Sequence, residues 1–301
     1  MISRVPGSPI SPARRSGRGF WRSLSRSRPA LLGLIFLAVF LFIALAAPLI
    51  SPHNPATPHL MYRLNPPAWM EAGTSEFQLG TDHLGRDILS RILYGSRIAL
   101  LVGFLGAALV VLIGTNVGLF AGYFKGRTDT ILMRTVDVMY GIPFEPFAMI
   151  LVLLFDPSLT IVIVAVSLLT WRTVARLIRS QVLSLSERPF VKAARVAGAS
   201  DMRILYLHIA PNILPLVLLQ LAIIVGSSII AEATLSFLGL GPPQSISWGG
   251  ILHNARLSGA WRTAWWWNIP PGVFIMLTVL AVFFISRSLE LVANPRLRAR
   301  K

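Results

Sequence analysis

Residues able to do chemistry are few in this sequence, and they do not converge. The 301 residues include no cysteine, which excludes disulfides, thiolate metal sites and Cys nucleophiles. The five histidines, His53, His59, His83, His208 and His253, show no close ligand spacing, and neither an HExxH nor a G-x-S-x-G segment occurs. A membrane-embedded hydrolase would therefore lack both its nucleophile and its metal. A G-x-x-x-x-G-K-[ST] phosphate loop is absent too: the glycine-rich stretch 114–126 is mostly apolar, and its Lys125 is not followed by Ser or Thr. Any nucleotide chemistry must come from another polypeptide. Two polar features remain: three acids set among apolar residues, Asp137, Glu145 and Glu232, and an amphipathic pattern that starts at Phe190.

The elements that must carry these residues follow from composition. Hydrophobic residues make up 54% of the chain and charged residues 13%, whereas a soluble domain carries about 25% charged residues to cover its surface. Apolar runs long enough to cross a hydrocarbon core occupy residues 30–50, 98–124, 131–155, 157–175, 209–231 and 263–286. The fourth is the shortest and needs Arg172 to snorkel. The sixth opens with Trp265, Trp266 and Trp267, whose amphipathic rings suit an interface.

Six crossings put both termini on one side. Of the 28 Lys and Arg, 22 fall in the tail before residue 30, around Lys125, between Arg172 and Arg203, and from Arg287 onward; the other six fall on the opposite side. This bias predicts cytoplasmic termini, and it accounts for most of the net charge of +16 without nucleic acid. Ala44-Leu45-Ala46 resembles a signal-peptidase site and Arg14-Arg15 a twin-arginine signal, but the first apolar run exceeds the 7 to 15 residues usual in a cleaved signal. It reads as a retained transmembrane helix. Residues 1–29, rich in Arg, Pro and Ser, read as a disordered basic tail able to touch anionic lipid.

Beyond the spans, residues 51–97 read as an external Pro-rich loop followed by an amphipathic helix from Asp87. Residues 98–290 form the membrane core, and 291–301 a cytoplasmic tail. Within the core, the cytoplasmic loop 185–208 is the most informative segment. Ser186 caps and Pro189 opens a short helix in which Phe190, Ala193, Ala194 and Ala197 share one narrow face, flanked by Lys192 and Arg195; Gly198 ends it. Ser200 or Asp201 caps the next helix. An aromatic anchor among small residues fits a protein groove, although a helix resting on lipid headgroups satisfies the same periodicity.

Lys192-Ala193-Ala194, Gly198 and His208-Ile209-Ala210-Pro211-Asn212 resemble, with matching spacing, the Glu-Ala-Ala loop of ABC importer permeases. Lys192 stands where that family usually has Glu. Leu79-Gly80-Thr81-Asp82-His83-Leu84-Gly85-Arg86-Asp87 is similar to a segment of the dipeptide, oligopeptide and nickel permeases, as are Leu235 to Gly241, Ser247-Trp248-Gly249 and Asn294-Pro295-Arg296-Leu297.

The resemblance implies an all-α integral membrane subunit with six transmembrane helices of the type I importer fold, in the cytoplasmic membrane. It is expected to be a pore half rather than an enzyme, with no cofactor of its own and with ATP and Mg on partner subunits. Those partners would be a homologous second permease, two ATP-binding cassette subunits and an external solute-binding protein, in a surround of membrane lipid. Peptides are the expected cargo, with nickel chelates, glutathione or a sugar as alternatives; a non-transporting scaffold is the remaining reading. Phe190, Lys192, Ala193, Ala194, Arg195 and Gly198 would dock an ATPase. The residues themselves leave two readings of the acids Asp137, Glu145 and Glu232: they hydrogen-bond helices to each other or reach an interface, or Glu232, Phe237, Gly239, Gly241 and Asp137 line or gate the solute path, Glu232 foremost because a helix should break just after it.

Overall fold

A computed structural model describes residues 28–293. Most of the basic tail and the Asn294-Pro295-Arg296-Leu297 segment lie outside the described residues. Each apolar run becomes a helix because lipid offers backbone groups no partner. α1 (Arg28–Ile50) is followed by an external segment with one 3-10 turn, Leu60–Tyr62. α2 (Ile88–Phe124) begins where the Asp87 side chain accepts the Ser90 N–H at 2.8 Å, an N-cap that satisfies an otherwise orphaned donor. Its 37 residues span about 55 Å at the helical rise, so the amphipathic turns expected before residue 98 and the second span are one continuous helix.

The third span differs most from a simple crossing. It is broken into α3 (Gly126–Tyr140) and α4 (Phe144–Phe155), bent by 87° at Gly141 to Pro143. Pro143 restricts the residue before it to extended backbone, and it becomes the N-cap of α4. Among the described residues five helices are long and apolar enough to cross a membrane, six when the bent pair is counted as one span.

The short fourth run is extended by polar residues into α5 (Leu159–Ser186), which Ser158 caps by accepting from Ile161 N at 3.2 Å. α6 (Pro189–Val196) follows after two residues. Ser186 ends α5 instead of capping α6, whose N-cap is Arg188 with Pro189 in the first turn. Asp201–Arg203 then opens a helix that widens to π geometry over Ile204–Ile209 and continues as α7 (Ala210–Phe237). Pro211, with no N–H to give to the preceding turn, lies at this transition. α8 (Trp248–Leu257) and α9 (Trp265–Ala293) complete the chain. Among the described residues no strand forms beyond a single antiparallel bridge between Thr81 and Asp87.

The core lies where α2 packs along α5 and α7, with α9 against α7 and α1 against α9. The glycines of 114–126 serve this packing. A Cβ on Gly114, Gly118 or Gly122 would stand 2.7 Å from Val174 Cβ, Ile178 Cβ or Val182 Cβ respectively. Three glycines at four-residue spacing thus let α2 and α5 approach backbone to backbone, as membrane helices do when they have no hydrophobic drive to associate.

Candidate functional site

Two polar regions stand out, one at each end of the bundle. On the end that the charge bias assigns to the cytoplasm, α6 turns Val191 inward, where it is fully buried, and rests Ala194 against the core. Phe190 (40% exposed), Ala193, Val196 (90% exposed) and Ala197 face away from the bundle. The outward face is therefore Phe190, Ala193, Val196 and Ala197; Ala194 lies at its edge. Gly198 has φ +79°, a left-handed conformation that stops α6 and that residues with a Cβ adopt at a cost.

Side-chain bonds fix α6 to the bundle. Glu187, just beyond α5, pairs with Lys125 at the end of α2 and with Lys192 on α6, the latter at 3.5 Å. The hydrogen bond from Lys125, and then Lys192, holds the Glu187 carboxyl below the usual carboxylate range. Arg195 Nη2 donates to Tyr123 Oη at 3.3 Å, and Tyr123 donates to Asp201 at 2.6 Å, so α2, α6 and the start of the next helix share one node. Tyr206 Oη donates to Asn116 at 2.7 Å, a further tie to α2. Lys192 and Arg195 thus orient the helix, while the apolar residues remain available to a partner.

Along α3 and α5, the arginines at 172, 176 and 179 meet the acids and aromatic ring of the bent span. Arg176 donates to Asp137 at 2.8 Å, with both side chains about half exposed, and Arg179 pairs with Asp129. Arg172 and Arg176 also lie 4.7 and 4.3 Å from the Tyr140 ring centroid. Glu145 is exposed in the first turn of α4, where a helix N-terminus favours an anion.

At the other end, Glu232 is 1% exposed, and its Oε1 accepts from Ser236 at 2.7 Å. It faces the interior, not an open mouth. α7 ends at Phe237, and Gly239 adopts φ +87°, with the His253 ring against the place a Cβ would take. His253 Nδ1 is 2.8 Å from the Phe237 carbonyl, and a Cβ on Gly241 would collide with Ser236. Arg86, Arg91, Ser236, Gly239, Gly241 and His253 border a cavity of about 550 Å³. The external segment is built around Asp82, which is fully buried and accepts from Leu84 N (2.8 Å), Arg86 N (3.0 Å) and Arg86 Nε (2.7 Å). Gly80 and Gly85, both at φ +76°, let the chain fold tightly around that carboxylate. Among the described residues no three His, Cys, Asp or Glu side chains are grouped to hold a metal ion.

Residues 114–299 match the family described as binding-protein-dependent transport system inner membrane component, and residues 17–67 match the N-terminal TM domain of oligopeptide transport permease C. The chain belongs to this transport family. It is a multi-pass permease subunit of the inner membrane. Similar relatives include the dipeptide transport system permease protein DppC of Escherichia coli strain K12, 39% identical over 291 residues, covering 96% of this chain and 95% of the relative. The di/tripeptide transport system permease protein DppC of Pseudomonas aeruginosa strain UCBPP-PA14 is 35% identical over 280 residues, covering 93% and 92%. In fold, the permease is similar to a structure of the inward-facing MetNI methionine ABC transporter, with a TM-score of 0.57 at 17% identity, covering 69% of this chain and 98% of the other.

Sequence patterning alone missed three residues of this permease. Val191 is the inward anchor of α6, yet its position follows only from the side on which α5 and the π segment lie. Val196 is 90% exposed, on the edge of the outward face beside Ala193, and was not among the residues the pattern singled out. Glu187 joins two lysines that are 67 residues apart in the chain.

Proposed function

We propose that this permease forms one half of the pore of an importer of dipeptides and short oligopeptides, paired with a homologous second permease. Two ATP-binding cassette subunits dock on α6 and supply ATP and Mg; an external binding protein delivers the peptide. Permease-wide similarity to DppC relatives carries this reading, since 39% identity extends over 96% of the chain. The apolar outward face of α6 supports the docking arm. A rigid contact is needed to transmit closure of the ATPases, and the nodes at Glu187 and Tyr123 join that contact to α2, α5 and the helix leading to α7.

ATP binding closes the ATPases, swings α6 and opens the pore outward, where the break at Gly239 and Gly241 above Glu232 serves as the external gate together with Phe237. Asp137, half exposed beside Arg176, lies along the solute path. Uptake of labelled alanyl-alanine by the complete assembly in proteoliposomes, driven by internal ATP, tests the function. Uptake that requires ATP and the binding protein is expected. A binding protein that holds only nickel chelates, with no dipeptide uptake, would refute the peptide cargo.

A further inference from the structure

We propose that the external cavity is a receiving subsite for the carboxylate end of the peptide, a proposal that rests on the dipeptide reading above. At about 550 Å³ the cavity lies within the roughly 300–1,000 Å³ typical of small-ligand sites. Arg86 and Arg91 form one side, Ser236, Ser247 and Asn254 line it as well, and no Asp or Glu is among the lining residues. Arg91 is 5% exposed: its Nη1 donates to the Pro55 carbonyl at 2.9 Å, but its Nε has no hydrogen-bond partner and stands 3.8 Å from Asp82 Oδ2.

One buried carboxylate thus faces two guanidinium groups, and Asp82 is already engaged by Arg86. Asp82 balances only one of the two cationic groups on that side, and a carboxylate entering the cavity balances the other through charge-assisted bonds. The hydroxyls and the side-chain amide of the lining can bond a peptide group beside that carboxylate. The cavity also borders Gly239 and Gly241, where α7 has ended, so a peptide held there waits beside the proposed gate. An acidic side chain of the binding protein would offer the same carboxylate without using the amide-bonding lining.

The complete transporter in nanodiscs, without the binding protein, is titrated with alanyl-alanine and with alanyl-alaninamide, and the same preparation with binding protein and ATP is assayed for alanyl-alanine uptake. The free acid should bind at least about tenfold more tightly than the amide, the size expected from one charge-assisted bond. Arg91→Lys keeps the charge but removes the planar guanidinium that can meet a carboxylate with two donors. Gln244→Glu, at an exposed position on the cavity lining, adds a competing carboxylate without touching the core. Each should weaken binding of the acid about tenfold and leave the amide unchanged. Equal binding of acid and amide, or wild-type affinity in the Gln244→Glu variant, overturns the subsite. So does a pair of variants that weaken association of the ligand-free binding protein while leaving the alanyl-alanine titration unchanged, because the cavity would then hold a protein side chain. If the wild type imports no alanyl-alanine, the dipeptide reading fails and the subsite fails with it; normal uptake without preference for the acid refutes the subsite alone.

Discussion

Gly118 shows how much a single hydrogen atom decides in this bundle. A Cβ there would lie 2.7 Å from both the Ala175 carbonyl oxygen and Ile178 Cβ, and backbone cannot step aside as a flexible side-chain tip can. Gly118→Leu should separate α2 from α5 and cost about 1–3 kcal/mol or more, the range for overpacking a tight contact. A lowered unfolding temperature of the purified subunit in detergent checks this. The same change at Gly272, where nothing lies within 4 Å of a built Cβ, serves as the control and should leave that temperature near wild type.

At the scale of an element, α6 has two faces with different duties. Val191 and Ala194 hold it on the bundle, so a bulky residue at 194 would damage packing together with the proposed docking. Ala193→Trp combined with Val196→Glu changes only outward positions, and should uncouple ATP hydrolysis from uptake or release the ATPase, lowering uptake at least about tenfold, as expected when a well-packed anchor is lost. The helices should still insert, because no span is altered. ATPase copurification and ATP-driven uptake are the measurements; normal values for both would make α6 a helix lying on headgroups. Gly198→Val acts differently: nothing crowds the position, but φ +79° strains a residue with a Cβ by about 1–2 kcal/mol. Its effect should appear in the orientation of α6 and hence in coupling, with insertion intact.

For the whole molecule, the charge bias makes a topological prediction that is simple to read because the chain has no cysteine of its own. A single Gln244→Cys should react with an impermeant maleimide from outside intact cells, whereas a single Ser8→Cys should react only after permeabilisation. Labelling of Ser8→Cys from outside would reverse the orientation of every helix and place α6 away from any cytoplasmic ATPase.

Class, crossings and the short helix proposed for docking were legible in the sequence because they depend on local quantities: apolar run length against bilayer thickness, Arg and Lys near span ends, and the residue types from Phe190 to Gly198. The 87° break was not legible, since residues 131–155 read as one run with acids in it, and only the packing of α3 on α5 shows that one of them, Asp137, meets Arg176. The glycines at 114, 118 and 122 were visible as composition, but their role required a second helix to be laid against them. The direction in which α6 faces was hidden for the same reason, because periodicity defines a face and only the neighbours determine which way it turns. The unsatisfied Nε of Arg91 belongs to tertiary structure: it exists because the fold buries that guanidinium against Asp82 and the Pro55 carbonyl, 36 residues away, with too few acceptors.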